Sequence, residues 1–437
     1  MQKKVILILM LIVIIISPEV MAEGDQFSDL EAFIDGIVNS QLDSYHTPGA
    51  VVSVVKNGRL VLAKGYGLSD IEGDKSVNVE RTLFRPGSVS KLFTWTAVMQ
   101  LVEKGKLDLD KNINTYLDFE IPDIYPEPIT LRHLMTHTPG FEDEGIGVFV
   151  EKAEDIIPLG EYLANNIPQR VYRPGRINAY SNYGSSLAGY IVERVSGLSF
   201  LKYIEKNIFS PLNMNKSTFL QPLSPALRED MAVGYKYNKK YIPADFEYCQ
   251  SIPAGGLSST AVDISNFMIA HLQNGVYNGQ RILNKEIIKK MHENQFSPGH
   301  DMVGWTLGFQ EMKINGKRII HHGGDTFNFH TGLYLIPTEN IGLFVSYNGS
   351  QAVDARDNLI EAFMDRYYPV DGLSIPESPE DFSKRAGSYT GEYKMARSNY
   401  SGPEKLLSLS QRIKIRHEDS KLRIIYGDKS TQWVELH

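Results

Sequence analysis

Apolar and polar positions change their period several times along the chain, and each change predicts an element. Residues 29–42 carry apolar side chains at helical spacing and predict a first amphipathic helix. Two β-prone runs follow, 50–55 and 60–63, separated by Lys56-Asn57-Gly58-Arg59. An Asn-Gly pair between such runs predicts a tight hairpin, so two antiparallel strands open a sheet. From Ser88 to about Leu272 helical runs and loops dominate, among them 91–99, 186–195 and 263–272. Strand patterns return at 306–312, 318–322, 332–336 and 343–347, before a helical run at 358–367. Strands from both ends around a helical middle predict an α/β (α+β) architecture, an antiparallel β-sheet flanked by helices plus a mostly helical lobe.

Beyond Pro369 the pattern breaks up around Pro376 and Pro379, then resumes in β-prone pieces at 387–393 and 422–426. Roughly sixty residues are few for a closed barrel of eight strands, so a short, open β-rich C-terminal extension is expected. The opening residues have the three parts of a secretory leader: Lys3-Lys4, an unbroken apolar run at 5–16, and Val20-Met21-Ala22 before a cleavage point. That run is short of the ~20 residues of a comfortable membrane span. The predicted organisation is a leader over 1–22, a main domain over 23–368, and a linker with the partial β extension over 369–437. A secreted or periplasmic location follows, an uncleaved N-terminal anchor being the alternative.

Composition narrows the chemistry. The formal net charge is −7 and no basic run interleaved with aromatics stands out, which argues against nucleic acid as a partner. Cys249 is the only cysteine, so neither an internal disulfide nor a lipidated cysteine behind the leader is available. Neither a cysteine-histidine spacing of a zinc site nor a glycine-rich phosphate loop is present, and no metal or cofactor is expected.

Three short segments carry candidate chemistry. Ser88-Val89-Ser90-Lys91 opens a helical run, and a serine and lysine three apart at a helix start share one face. A hydroxyl needs a neighbouring base to become a nucleophile, and a lysine whose pKa is lowered can serve. Tyr180-Ser181-Asn182 follows the turn-forming Arg173-Pro174-Gly175-Arg176 and precedes a helix. There the tyrosine can hold or pass a proton, while the asparagine can donate to a substrate carbonyl and accept from the lysine. Arg318-Ile319-Ile320-His321-His322-Gly323-Gly324 reads as a strand ending in glycines, an uncluttered edge for a substrate backbone with His322 at its end.

In that order these segments resemble the serine β-lactamase-like superfamily of penicillin-recognising enzymes, closest to the branch of class C β-lactamases, D-aminopeptidases and esterases. Lesser segments agree, including Leu131-Arg132-His133-Leu134-Met135-Thr136-His137-Thr138-Pro139-Gly140 and Gly255-Gly256-Leu257-Ser258-Ser259-Thr260 before Asp263. The resemblance spans roughly residues 30–368 and implies an active site between the sheet and the helical lobe. It implies attack by Ser88 through an acyl-enzyme, with Lys91 and Tyr180 sharing the proton; which of the two is the base stays open. The backbone N–H groups of Ser88 and Asp325 would form the oxyanion hole, Asn182 would orient the acyl side, and His322 with Gly323 and Gly324 would bind the far end of the substrate.

The third element departs from the usual pattern, because β-lactamases and D,D-carboxypeptidases carry a lysine where His322 stands. A histidine near neutral pH lacks a fixed charge. Carboxylate recognition is therefore expected to be weaker, and ester, amide or D-aminoacyl peptide substrates, peptidoglycan-derived ones included, are favoured. Strand alternation points only one of His321 and His322 at the cleft; His322 is favoured because it leaves Gly323-Gly324 in register, with His321 packed on the other face. His133 and His137 read as packing residues. A β-lactamase or D,D-carboxypeptidase, and a noncatalytic penicillin- or peptidoglycan-binding protein, remain the alternatives.

Overall fold

A computed structural model describes residues 26–434, except 144, 300, 301, 371, 373–376, 410, 411 and 428. The expected leader over 1–22 and its expected cleavage point lie outside the described residues. No helix among those described is long and apolar enough to cross a membrane.

The N-terminal helix α1 spans Leu30–Ser44 and leads into strands β1 (Gly49–Lys56) and β2 (Arg59–Asp70), followed by the short β3 (Lys75–Ser76). Asn57 and Gly58 both adopt positive φ, 50° and 75°, the conformation a two-residue hairpin turn demands. The late strands are β4 (Gln310–Ile314), β5 (Lys317–Asp325), β6 (His330–Ile336) and β7 (Ile341–Tyr347). All join one seven-stranded antiparallel sheet in the order β4-β5-β6-β7-β1-β2-β3, so the two ends of the main domain meet where β1 pairs with β7.

One expected strand is shorter than its sequence pattern. The run at 306–312 begins as a turn, with Thr306 N–H donating to the Phe309 carbonyl at 2.9 Å and Gly308 at φ +109°. A Cβ on Gly308 would lie 2.3 Å from Trp95, so the backbone passes against that indole and pairing starts only at Gln310.

Both faces of the central strands β1, β6 and β7 are buried, as the almost wholly apolar β1 requires. Ala50, Val52 and Val54 face one core with Leu30, Ile34 and Val38 of α1 and Leu359, Ile360 and Phe363 of a late helix, Ala355–Tyr367. Val51 and Val55 face the other core, built on Ser90–Glu103 (α2), Asn182–Ser196 (α3) and Ala261–Leu272 (α4). Each fully buried aliphatic side chain there contributes about 1.5–3 kcal/mol. Residues 90–101 of α2 are buried on every side, so this helix runs through the middle of the helical lobe rather than over its surface. After the main domain, four antiparallel strands over Gly391–Lys394, Arg412–Glu418, Lys421–Tyr426 and Lys429–Trp433 form a separate open sheet.

Candidate active site

Ser88 sits in the 3-10 turn Gly87–Val89 that runs directly into α2. The lysine one turn further on, Lys91, is wholly buried. Its Nζ lies 3.0 Å from Ser88 Oγ, 2.8 Å from Asn182 Oδ1 and 2.7 Å from the Ala254 carbonyl. The last partner comes from the short helix Ile252–Gly255, whose preceding carbonyl, Pro253, accepts from Thr94 at 2.7 Å. Lys91 and Thr94 lie one turn apart on the same face of α2, so this short helix docks along it. Burial drives the Lys91 pKa well below its ordinary value, and the positive charge of Arg397 adds to the effect.

A neutral lysine amine has two hydrogens and one lone pair. Asn182 Oδ1 and the Ala254 carbonyl can only accept, so they take the two hydrogens. The lone pair then faces Ser88, whose hydroxyl donates to it. That is the arrangement a general base needs before it removes the serine proton.

Asn182 is the first residue of α3, and Ser181 caps that helix by accepting from Gly184 N–H at 3.0 Å. Tyr180 immediately precedes the cap. Its hydroxyl is buried beside Ser88, without a well-aligned protein hydrogen bond among the described residues. Burial raises its pKa above the ordinary phenol value, opposed by Ser88 and by the positive charge of Arg397. It is therefore a neutral phenol at working pH, able to donate a proton. His137 packs against it with ring centroids 4.2 Å apart and takes the Ser181 N–H on its Nδ1 at 3.2 Å. His137 thus packs, as expected, but on Tyr180 itself. His133 instead closes a capping box with Thr130 at the start of Leu131–Met135.

The end of β5 completes the floor. His322 faces the cleft, while His321 stacks on Tyr334 with ring centroids 5.7 Å apart. The His322 pKa is lowered to about 3, chiefly by burial and then by Lys91, so the ring is neutral at physiological pH. Its Nδ1–H donates to the Gly323 carbonyl at 2.6 Å, and the buried Nε2 has no protein partner among the described residues. In that tautomer Nε2 is an acceptor. A ligand N–H or O–H would suit it.

Two glycines let β5 touch the serine turn. Gly87 has φ +51°, and a Cβ there would lie 2.8 Å from Asp325 N; a Cβ on Gly324 would lie 1.9 Å from the Pro86 carbonyl and 2.9 Å from Ser88 N. Without side chains at either position, the Ser88 and Asp325 amides come to neighbouring places. The Asp325 side chain is held away on its own partners, His330 Nδ1 at 2.7 Å and Arg356 at 2.6 Å. Burial opposes its charge, but the His330 hydrogen bond and Arg356 outweigh that and hold its pKa below the ordinary value.

Ser88, Tyr180, Asn182, His322, Gly323 and Asp325 line one cavity of about 540 Å³. Lys91 and Gly324 lie behind its surface. A second recess of about 40 Å³ adjoins Ser88 and Asn182, closed by Val148, Phe149 and Cys249. Burial raises the Cys249 thiol pKa to about 11, which keeps it protonated.

Several lining residues escaped the sequence reading, among them Trp305 and Arg397. Trp305 packs edge-on to both His137 and His322, centroids 4.6 and 6.2 Å away. Its only sequence signal was an apolar residue beside Gly304. Arg397 belongs to the C-terminal extension, where a single arginine in a polar stretch gives no signal at all. Among the described residues no group of three or more histidine, cysteine or acidic side chains is placed to hold a metal ion.

A family model described as Beta-lactamase matches residues 34–363. Protein flp of Staphylococcus aureus (strain N315) is 25% identical over 333 residues, which are 74% of this chain and 64% of that protein. The putative penicillin-binding protein PbpX of Bacillus subtilis (strain 168) is 30% identical over 260 residues, 59% of this chain and 60% of its own length. The chain thus spans 64% or less of these two curated relatives. Among solved structures, the octameric penicillin-binding protein homologue from Pyrococcus abyssi shares the fold, with a TM-score of 0.67 at 24% identity over 92% of this chain and 90% of that one.

Proposed function

The chain belongs to the beta-lactamase family, and we propose that it is an exported serine hydrolase that works through an acyl-enzyme on Ser88. The observation that carries this reading is the buried Lys91 amine, 3.0 Å from Ser88 Oγ and with both its hydrogens engaged elsewhere.

Ser88 Oγ attacks the substrate carbonyl carbon as its proton passes to Lys91 Nζ. The carbonyl oxygen gathers negative charge between the N–H groups of Ser88 and Asp325. Each such donor is worth about 3–4 kcal/mol of transition-state stabilisation. Collapse breaks the bond to the leaving group, which takes the proton from Lys91 by way of the Tyr180 hydroxyl. Water then attacks the ester on Ser88 with Lys91 again as base, releasing the acid and restoring the serine.

Lys91 is assigned as base and Tyr180 as relay because burial pushes their pKa values in opposite senses, each toward its neutral form. Esters, amides and D-aminoacyl peptides are the substrates proposed, with a small acyl group in the recess of about 40 Å³.

The test is labelling by a fluorophosphonate probe together with turnover of p-nitrophenyl acetate, for the mature protein and Ser88→Ala. Both signals vanish in the variant if the reading is right. A folded wild type that neither labels nor turns over would instead be a noncatalytic binding protein.

A further inference from the structure

We propose that Arg397, carried into the cleft by the C-terminal extension, forms a subsite for a carboxylate on the leaving-group side of the substrate. The inference rests on the acyl-enzyme reading of the same cleft and names a substrate class within it.

Of the other basic side chains at or behind the cavity, two are already engaged. Lys91 has its hydrogens on Asn182 and the Ala254 carbonyl. Arg356 is largely buried, with its guanidinium on the Asp325 carboxylate and on the carbonyls of Gly324 and Thr331. His322, at the position where a lysine would supply fixed charge, is a neutral acceptor.

Arg397 differs from each of these. Its Nε donates to Asp143 at 2.8 Å, and Asp143 does not line the cavity. The carboxylate therefore grips one edge of the guanidinium from behind. The two terminal amino groups make no hydrogen bond among the described residues, and Arg397 itself lines the cavity. A guanidinium presenting paired N–H groups matches a carboxylate.

Position gives the side of the substrate. The Arg397 guanidinium carbon lies 4.8 Å from the Tyr180 ring centroid. Tyr180 is the proposed donor to the leaving group, whereas the recess for the acyl group is lined by Asn182, Phe149 and Cys249 instead.

The loop carrying Arg397 is built to hold it there. Glu142 is 1% exposed and its carboxylate accepts from the backbone N–H groups of Tyr400 and Ser401, at 2.6 and 2.9 Å, and from the Ser401 hydroxyl. Asp143 N–H donates to the Ser398 carbonyl at 3.1 Å. Glu404 in return accepts from Gly145 N–H at 3.0 Å and Ile146 N–H at 2.6 Å. These bonds, charge-assisted at Glu142 and Glu404, anchor the residues immediately after Arg397, from 398 to 404, and tie a segment outside the main domain to the rim of the cleft.

The experiment compares phenyl and 3-carboxyphenyl esters of N-acetylglycine, which differ only by a carboxylate on the leaving group, using the full mature chain. The wild type is expected to prefer the carboxylated ester in kcat/KM, and Arg397→Gln to lower that preference about tenfold, the scale of a lost hydrogen bond to a charged group. Arg397→Lys should restore part of it. A merely structural role would depress both esters alike and leave the ratio unchanged, which overturns the proposal. Fluorophosphonate labelling of each preparation reads the Ser88 chemistry separately. If the wild type does not label, the same ratio is taken from calorimetric binding of the two esters, and its insensitivity to Arg397→Gln would sink the subsite on its own.

Discussion

The two walls of the cleft are built in opposite ways. On the Ser88 wall the working atoms come from regular elements packed inside the main domain or from the residues that lead directly into them: α2 and the turn before it, the entry to α3, and the end of β5. Lys91 is fully buried, and His322 is 4% exposed. On the Arg397 wall the guanidinium stands at the end of an irregular loop, its side chain 46% exposed, held by carboxylates rather than by a core. Burial on the first wall tunes protonation, because desolvation acts on the reacting groups themselves. Exposure on the second wall preserves a permanent charge but weakens each contact it makes. Bond-making chemistry requires the first environment, and discrimination between ligands can be carried by the second.

The largest expected effect tests the buried wall. Lys91→Met removes the proposed base while keeping an unbranched side chain, and kcat for p-nitrophenyl acetate should fall about 10²- to 10⁴-fold, the contribution of a positioned general base. Retention of wild-type kcat would return the base assignment to Tyr180.

Gly324→Ala comes next, since the new Cβ would lie 1.9 Å from the Pro86 carbonyl and must push β5 off the serine turn. A loss of about 10²- to 10³-fold in kcat is expected, as for removal of an oxyanion donor. Unchanged kcat would show that the Asp325 amide is not needed.

The third prediction couples the walls through pH. Activity requires neutral Lys91, so it is lost as pH falls through the depressed Lys91 pKa and is flat above it. Arg397 disfavours the protonated lysine, so Arg397→Gln relieves that repulsion, raises the Lys91 pKa and moves the acidic limb of the kcat/KM profile to higher pH. An unmoved limb would mean that the walls are electrostatically independent. No limb is expected from His322, whose pKa is about 3.

The smallest effect concerns the narrow recess. A butyryl group exceeds an acetyl group by two methylenes, and p-nitrophenyl butyrate should be turned over about tenfold more slowly than the acetate. Equal rates would place the acyl group in the larger cavity.

The same division explains what could be read from the sequence. Ser88 and Lys91 are separated by one helical turn, so their meeting is dictated locally. Tyr180 and Asn182 flank a cap that any reader of turn signals would place at a helix start. His322 and the two glycines end a strand whose alternation fixes which face they take. Trp305 was obscured by Gly308, whose positive φ turned part of an expected strand into a turn. Arg397 was beyond reach for a different reason, since its place depends on Glu142 and Asp143, partners about 250 residues away in sequence with no periodic pattern linking them.

The clasp at Glu142 also has a consequence in time. Synthesis runs from the N-terminus, so the strands, helices and glycines around Ser88 are all available to a growing chain before Arg397 and Tyr400 have been added. The proposed nucleophile can thus be assembled while the proposed leaving-group wall is still missing. Any chain cut short before that loop would keep the residues proposed for bond cleavage while lacking those proposed for choosing among leaving groups.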